Sequence, residues 1–293
     1  MPIRIQNAID MHVHFGPDTI GGTLDMFDMH SVTAIEAARE AADTGIGAVV
    51  LKSHSFASPQ IAENIQEAVP GIRVLSGVCT DYISGGLNLT GVEAALSMGA
   101  KIVWLPTVHS RQDFGRHEML KDPYHDKGIA VTGDDGKVLP EVHEIFAMVR
   151  EKEAILATGH TTTEEHYAVV KELATHGNVL VTHAGEKLAG PHLDARQCKE
   201  LADLGAYIEI TAQNCKDVFG HPGMSTHDLV EMIRTIGTDR VCLSTDFGAL
   251  KEVPHPAVGM VEFLDNLWAE GVTDDELTTM VSVNSSRLLG ISF

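Results

Sequence analysis

The stretch Ala48-Val49-Val50-Leu51-Lys52-Ser53-His54, reached from residues 33–43 through Gly45, decides the fold. Residues 33–43 carry apolar side chains at helical spacing, and Gly45 supplies a stop. The β-branched run that follows reads as a strand. The same unit recurs along the chain. Ser58-Pro59 opens a helix to about Val69 that feeds a strand at 73–78. Helical patterns at 90–98, 140–152, 163–175, 194–204 and 226–236 lead into strand patterns at 101–105, 154–160, 179–183, 207–211 and 241–246. Further helical segments lie near 258–269 and 274–289. At the start of the chain, Ile9-Asp10-Met11-His12-Val13-His14 alternates apolar and polar residues, which is strand periodicity. Eight strands alternating with helices predict a parallel sheet, and at this length a single-domain α/β fold closed as a (β/α)8 TIM barrel. An open doubly wound sheet is disfavoured, because no Gly-rich phosphate fingerprint follows the first strand.

One connection is out of proportion. Residues 106–139 follow the fourth strand without a helical pattern, and loops of that length in compact domains are usually functional or disordered. Residues 129–139 read as a hairpin turning at Asp135-Gly136, placed by chain order over the barrel mouth as a partial lid or as a decorative insertion. The loop at 15–31 is also long.

Composition narrows the function classes. The chain has 293 residues, 44% of them apolar, enough for a sizeable core. Lys plus Arg number 21 against 41 Asp plus Glu, a formal charge of −20, which argues against nucleic acid or an anionic membrane as partner. No apolar run has the length of a membrane span, and no signal peptide is expected before the first strand. Four scattered cysteines without a C-x-x-C pair fit reduced thiols in a cytoplasm. A small-molecule substrate and a homo-oligomer are the partners expected.

Barrel enzymes place their sites at the C-terminal ends of the strands. There strand one offers His12 and His14, two apart and so on one face, with Asp10 below them. Strand two offers Lys52 and His54, strand five His160, strand six His183 and strand eight Asp246. An H-x-H pair alone is equally at home on a surface strand. Four histidines and an aspartate gathered at one mouth predict a divalent metal. Lys52 would neutralise a substrate carboxylate or phosphate, or pair with Asp10 or Glu209. His54 would contact substrate, add a ligand or sit as a satisfied rim residue. Glu209, on strand seven, would bind substrate or serve structure. His143, His166, His176 and His227 fall on helices and read as solvated, whereas His117, His125, His192, His221 and His255 fall in loops. Arg111 and Arg116 in the insertion could meet an anionic substrate, and Cys215 has no visible base to activate it.

The order H-x-H on strand one, His on strand five, His on strand six and Asp on strand eight resembles the amidohydrolase superfamily of metal-dependent barrel hydrolases, from Asp10 to Asp246. The resemblance implies that His12 and His14 bind the metal and that His160 and Asp246 complete its shell. It implies that His183 binds a second metal, or holds the attacking water or the substrate, and that Asp246 acts as general base and then acid. One feature departs from the pattern: two-metal members carry a bridging Lys or Glu at the end of strand four. Here Lys101 lies at the wrong end of that strand, and Trp104-Leu105-Pro106-Thr107 offers no ligand. One metal per chain is therefore expected, with Lys52 as the alternative bridge. Zn²⁺ is favoured, with Mn²⁺ and Fe²⁺ open. The expected reaction is hydrolysis of a C–N or C–O bond in an amide, lactone or ester. A decarboxylase or other lyase on the same barrel is the alternative, and a non-catalytic binding barrel the second.

Overall fold

The computed structural model describes residues 5–19, 29–116 and 124–293. Eight strands, β1 (Ile9–His14), β2 (Ala48–Lys52), β3 (Arg73–Cys79), β4 (Ile102–Trp104), β5 (Ile155–Ala157), β6 (Val179–Val181), β7 (Tyr207–Thr211) and β8 (Val241–Ser244), follow one another in sequence order around the sheet, all neighbours parallel. Between them run α1 (Ala34–Thr44), α2 (Pro59–Ala68), α3 (Leu89–Ser97), α4 (Pro140–Glu151), α5 (Thr163–Leu173), α6 (Ala195–Asp203) and α7 (Thr226–Ile236), with α8 (Pro256–Ala269), α9 (Asp274–Thr278) and α10 (Asn284–Leu289) at the end. The expected (β/α)8 barrel is the observed one. Its seam is thin. β1 meets β8 through one bridge, Val13 with Phe247, and through backbone bonds from His14 N to Phe247 O (2.9 Å) and from Asp246 N to His12 O (3.0 Å).

The local chemistry explains the elements. Thr33 and Glu36 form a capping box at the start of α1, and Gly45 closes it at φ 86°. Ser58 precedes Pro59 at the start of α2, although the Ser58 hydroxyl turns away to Leu51 O at 2.7 Å. The helix expected over 274–289 is divided by a π-turn at Thr279–Val283.

Strand alternation splits the core into two layers. Val49, Leu51, Val103, Leu156, Val181, Ile208 and Leu243 face the helices. Ile9, Met11, Ala48, Val50, Cys79, Ile102, Trp104, Ile155, Ala157, Leu180 and Cys242 fill the barrel interior. The β1 pairing shifts register between Asp10 and Val13, so the plain alternation expected there breaks. Met11 stays in the interior layer while Val13 joins the outer one. Asp10 is not stacked beneath the histidines: it clasps Thr245, whose N and Oγ1 donate to its carboxylate at 3.0 and 2.6 Å. The Trp104 ring lies hard against Gly77, where an added Cβ would stand 2.2 Å from Cζ3. It forms the floor above which the polar side chains begin.

Candidate metal centre

β1 ends in His12 and His14, and Asp246 lies two residues beyond β8 at φ 60°. His183, after β6, has φ 25°. Positive φ at a non-glycine residue costs free energy, and here two such residues lie at one mouth. The ligand atoms of His12, His14 and Asp246 all lie within 4.8 Å of one another. Asp246 Oδ1 is 2.9 Å from His12 Nε2 and 3.0 Å from His14 Nε2.

Hydrogen-bond logic shows what this contact needs. His12 Nδ1 lies 3.1 Å from Glu209 Oε2, and Glu209 is wholly buried. The carboxylate accepts, so Nδ1 carries the proton. A neutral His12 would then face Asp246 with a bare lone pair, two acceptors 2.9 Å apart. His12 Nε2 indeed makes no aligned hydrogen bond, although the oxygen is close. Only positive charge reconciles the pair, as a proton or a cation. Burial opposes the charged ring, yet Asp246 and Glu209 outweigh it and raise the His12 pKa to about 9. Imidazole and carboxylate donors suit a divalent transition metal, so these residues fit the ion the sequence implies.

The other histidines complete a ring. Ring centroids are 5.2 Å apart for His12 and His14, 4.9 Å for His14 and His54, 6.2 Å for His54 and His160, 4.6 Å for His160 and His183, and 5.8 Å for His183 and His12. His160 Nδ1 is held by Asp113 Oδ2 at 2.9 Å, and its buried Nε2 has no partner. His183 N donates to Glu209 Oε2 at 3.0 Å. His160 and His183 stand outside the mutual 4.8 Å set, His183 next to His12 and His160 beyond it. Lys52 is buried, with Nζ 5.6 Å from the centroid of the Trp104 ring. Burial, and next the Lys52 ammonium, push His54 down to about 4. Burial also holds His14 and His183 well below the usual imidazole range.

Several expectations change here. Glu209, expected at substrate or in a structural role, sits behind the centre and orients His12. The pairing of Lys52 with Asp10 or Glu209 gives way, since Asp10 binds Thr245 and Glu209 binds His12 and His183. His54 lies on the ring, but its Nδ1 turns away to Thr107 Oγ1 at 2.8 Å. His166 is buried rather than solvated, with Nδ1 2.9 Å from Thr162 O. Arg116 bonds Asp113 Oδ1 and Gly190 O, and Arg111 reaches Thr132 O within the insertion and lies 3.7 Å from Glu165 Oε1, so both help to tie the insertion down. His117 and the middle of the 15–31 loop fall outside the described residues. Sequence reading missed Asp113, Asp81 and Glu186. A second buried cluster, His54, Cys79 and Asp81, is not a metal site by its chemistry. Asp81 already accepts from Thr107 N, Thr107 Oγ1 and His109 N, and burial raises the Cys79 pKa, which keeps the thiol protonated.

Over residues 7–209 the chain matches a family described as "Family of unknown function (DUF6282)". The chain belongs to the DUF6282 family. No curated protein matches it. The barrel of this DUF6282 member is similar to solved structures of amidohydrolase-superfamily enzymes. An amidohydrolase from Pseudomonas aeruginosa superposes with TM-score 0.60 at 13% identity, covering 98% of this chain and 96% of that one. The probable dipeptidase PvdM from the same organism gives 0.66 at 12% identity, covering 98% and 95%. A 2,6-dihydroxybenzoate decarboxylase gives 0.60 at 12% identity, covering 98% and 100%. At these identities the likeness establishes a shared fold. No helix among the described residues is long and apolar enough to cross a membrane.

Proposed function

We propose that this DUF6282 protein is a metal-dependent hydrolase that opens a C–N or C–O bond of a small molecule. One divalent cation per chain, zinc by preference, would be held by His12, His14 and Asp246, with His160 and His183 beside it. The observation that carries the reading is the approach of His12 Nε2 to Asp246 Oδ1 at 2.9 Å while Glu209 occupies His12 Nδ1. A bound cation of this kind supplies Lewis acidity and lowers the pKa of water towards about 7. Asp246 is half-buried, which disfavours its charge, yet His12, by its charge and its contact, holds its carboxyl well below the usual range, so it is ionised and able to accept a proton and return it to a leaving group. His183 can polarise a carbonyl. Trp104 and the interior layer exclude water from below. The buried Lys52 cation favours a carboxylate-bearing substrate, and for that reason decarboxylation is the second reading.

The test is metal content by mass spectrometry, followed by turnover on ester, lactone, amide and hydroxybenzoate panels. About one zinc per chain is expected, with activity abolished by chelation. His12→Ala should lose the zinc while circular dichroism stays that of a folded barrel. A His12→Ala protein that retains zinc and turnover, or a native protein that binds no divalent metal, would sink the assignment.

A further inference from the structure

Behind His54 runs a buried hydrogen-bonded chain that the metal chemistry does not use. His54 Nδ1 lies 2.8 Å from Thr107 Oγ1. The Thr107 hydroxyl donates to Asp81 Oδ2. Asp81 Oδ1 accepts the backbone N–H groups of Thr107 at 3.0 Å and His109 at 2.9 Å. Asp81 and Thr107 are wholly buried. Three donors on one carboxylate favour its ionised form. A hydroxyl has a single proton, and that of Thr107 is spent on Asp81. Thr107 Oγ1 can therefore only accept from His54, which places a proton on Nδ1. A neutral imidazole with its proton on Nδ1 has a bare Nε2. His54 stacks on His14 at 4.9 Å and meets His160 edge-on at 6.2 Å, so its ring belongs to the mouth.

We propose that Asp81 and Thr107 are positioning residues that lock His54 as the Nδ1–H tautomer, making its Nε2 a hydrogen-bond acceptor at the mouth for a hydroxyl or amide N–H of the bound small molecule. The inference rests on reading the mouth as the substrate site. It predicts a selectivity that the metal ligands alone do not impose: a molecule with a donor beside its reacting carbonyl fits, and one with a lone pair there is repelled.

The sign of the effect can be inverted. In Asp81→Asn the two backbone N–H groups hold the amide oxygen where Oδ1 stood. The amide NH₂ then faces Thr107 and donates to it. The Thr107 hydroxyl proton turns to His54 Nδ1, and the His54 proton moves to Nε2. Long-range ¹H–¹⁵N correlation spectra of the zinc-loaded protein read this directly. Native protein and Thr107→Ser should show His54 protonated at Nδ1 only, and Asp81→Asn should show it protonated at Nε2. A native His54 protonated at Nε2, or at both nitrogens near pH 7.5, overturns the proposal without any variant. A folded Asp81→Asn protein with an unchanged tautomer also overturns it. Zinc stoichiometry on the same samples tests the metal reading separately, since loss of zinc leaves the His54 proton count unaltered.

Discussion

Glu186, three residues past His183, carries a carboxyl with half of its accepting capacity unused. Oε1 takes the N–H of Leu188 at 3.0 Å, while Oε2 is buried without a partner. Burial, and then the Asp246 charge, raise its pKa from 4.5 to about 7. Between those values the folded chain keeps a proton that the unfolded chain gives up. Native stability therefore falls as pH rises through that window and levels off above it. Glu186→Gln removes the titration and keeps the Leu188 bond. It should be the more stable protein at pH 8, by on the order of 3 kcal/mol, and should match the native protein near pH 4.5. Melting curves across this range check it, and parallel curves would refute it. Residues such as Glu186 and Asp113 were not legible in the sequence, whereas His12, His14, His183 and Asp246 were. Strand ends have a register that can be counted, so their side chains can be assigned to a face. Asp113 reaches His160 from a segment with no periodicity, and nothing in its spelling distinguishes it from other loop carboxylates.

At the scale of elements, the described parts of the insertion, 106–116 and 124–139, are tied to the barrel by side-chain hydrogen bonds. Its hairpin forms as expected, with Thr132 bridging Val138 and a turn through Gly136 at φ 75°. What holds the hairpin is Glu165, the third residue of α5. Glu165 Oε1 accepts Val131 N at 2.9 Å, and its Oε2 accepts Thr162 N at 3.0 Å in the capping box of α5. One side chain thus caps a helix and docks the insertion, and Asp113 on that insertion orients His160. Glu165→Ala strands both donors, that of Val131 buried and that of Thr162 partly so, at a cost of about 2–3 kcal/mol. Hydrogen exchange should accelerate at 129–139 while α7 and β4 stay protected. Glu165→Gln, which keeps an accepting oxygen, should recover part of the loss. Uniform acceleration over the whole chain would mean that Glu165 supports the barrel generally. A sequence shows the capping box, because Thr162 and Glu165 stand three apart. It does not show the docking, which joins residues 34 positions apart. The π-turn in 274–289 was invisible for a related reason, since it is a shift of backbone pairing within an unbroken helical pattern.

For the molecule as a whole, the seam between first and last strand is where fold and function meet. The ladder runs continuously from β1 to β8, but the closing contact is one isolated bridge, two backbone hydrogen bonds and the Asp10–Thr245 clasp. The proposed ligands straddle that seam, His12 and His14 on one side and Asp246 on the other. A cation there would be a cross-link as well as a reagent. With zinc at 100 times its dissociation constant, the folded state gains about 2.7 kcal/mol. For a chain of this length that is a rise in melting temperature of roughly 5 °C. The protection gained on zinc binding should concentrate in the amides of β1 and of residues 241–248. Two substitutions separate the cross-link from the clasp. Thr245→Val leaves the buried Asp10 carboxyl without its side-chain donor and should lower the melting temperature with or without zinc. Asp246→Asn should abolish most of the zinc-dependent rise. If zinc protects the far side of the barrel as strongly as the seam, or if Thr245→Val is silent, then the barrel is closed by its helices and the metal contributes nothing to closure.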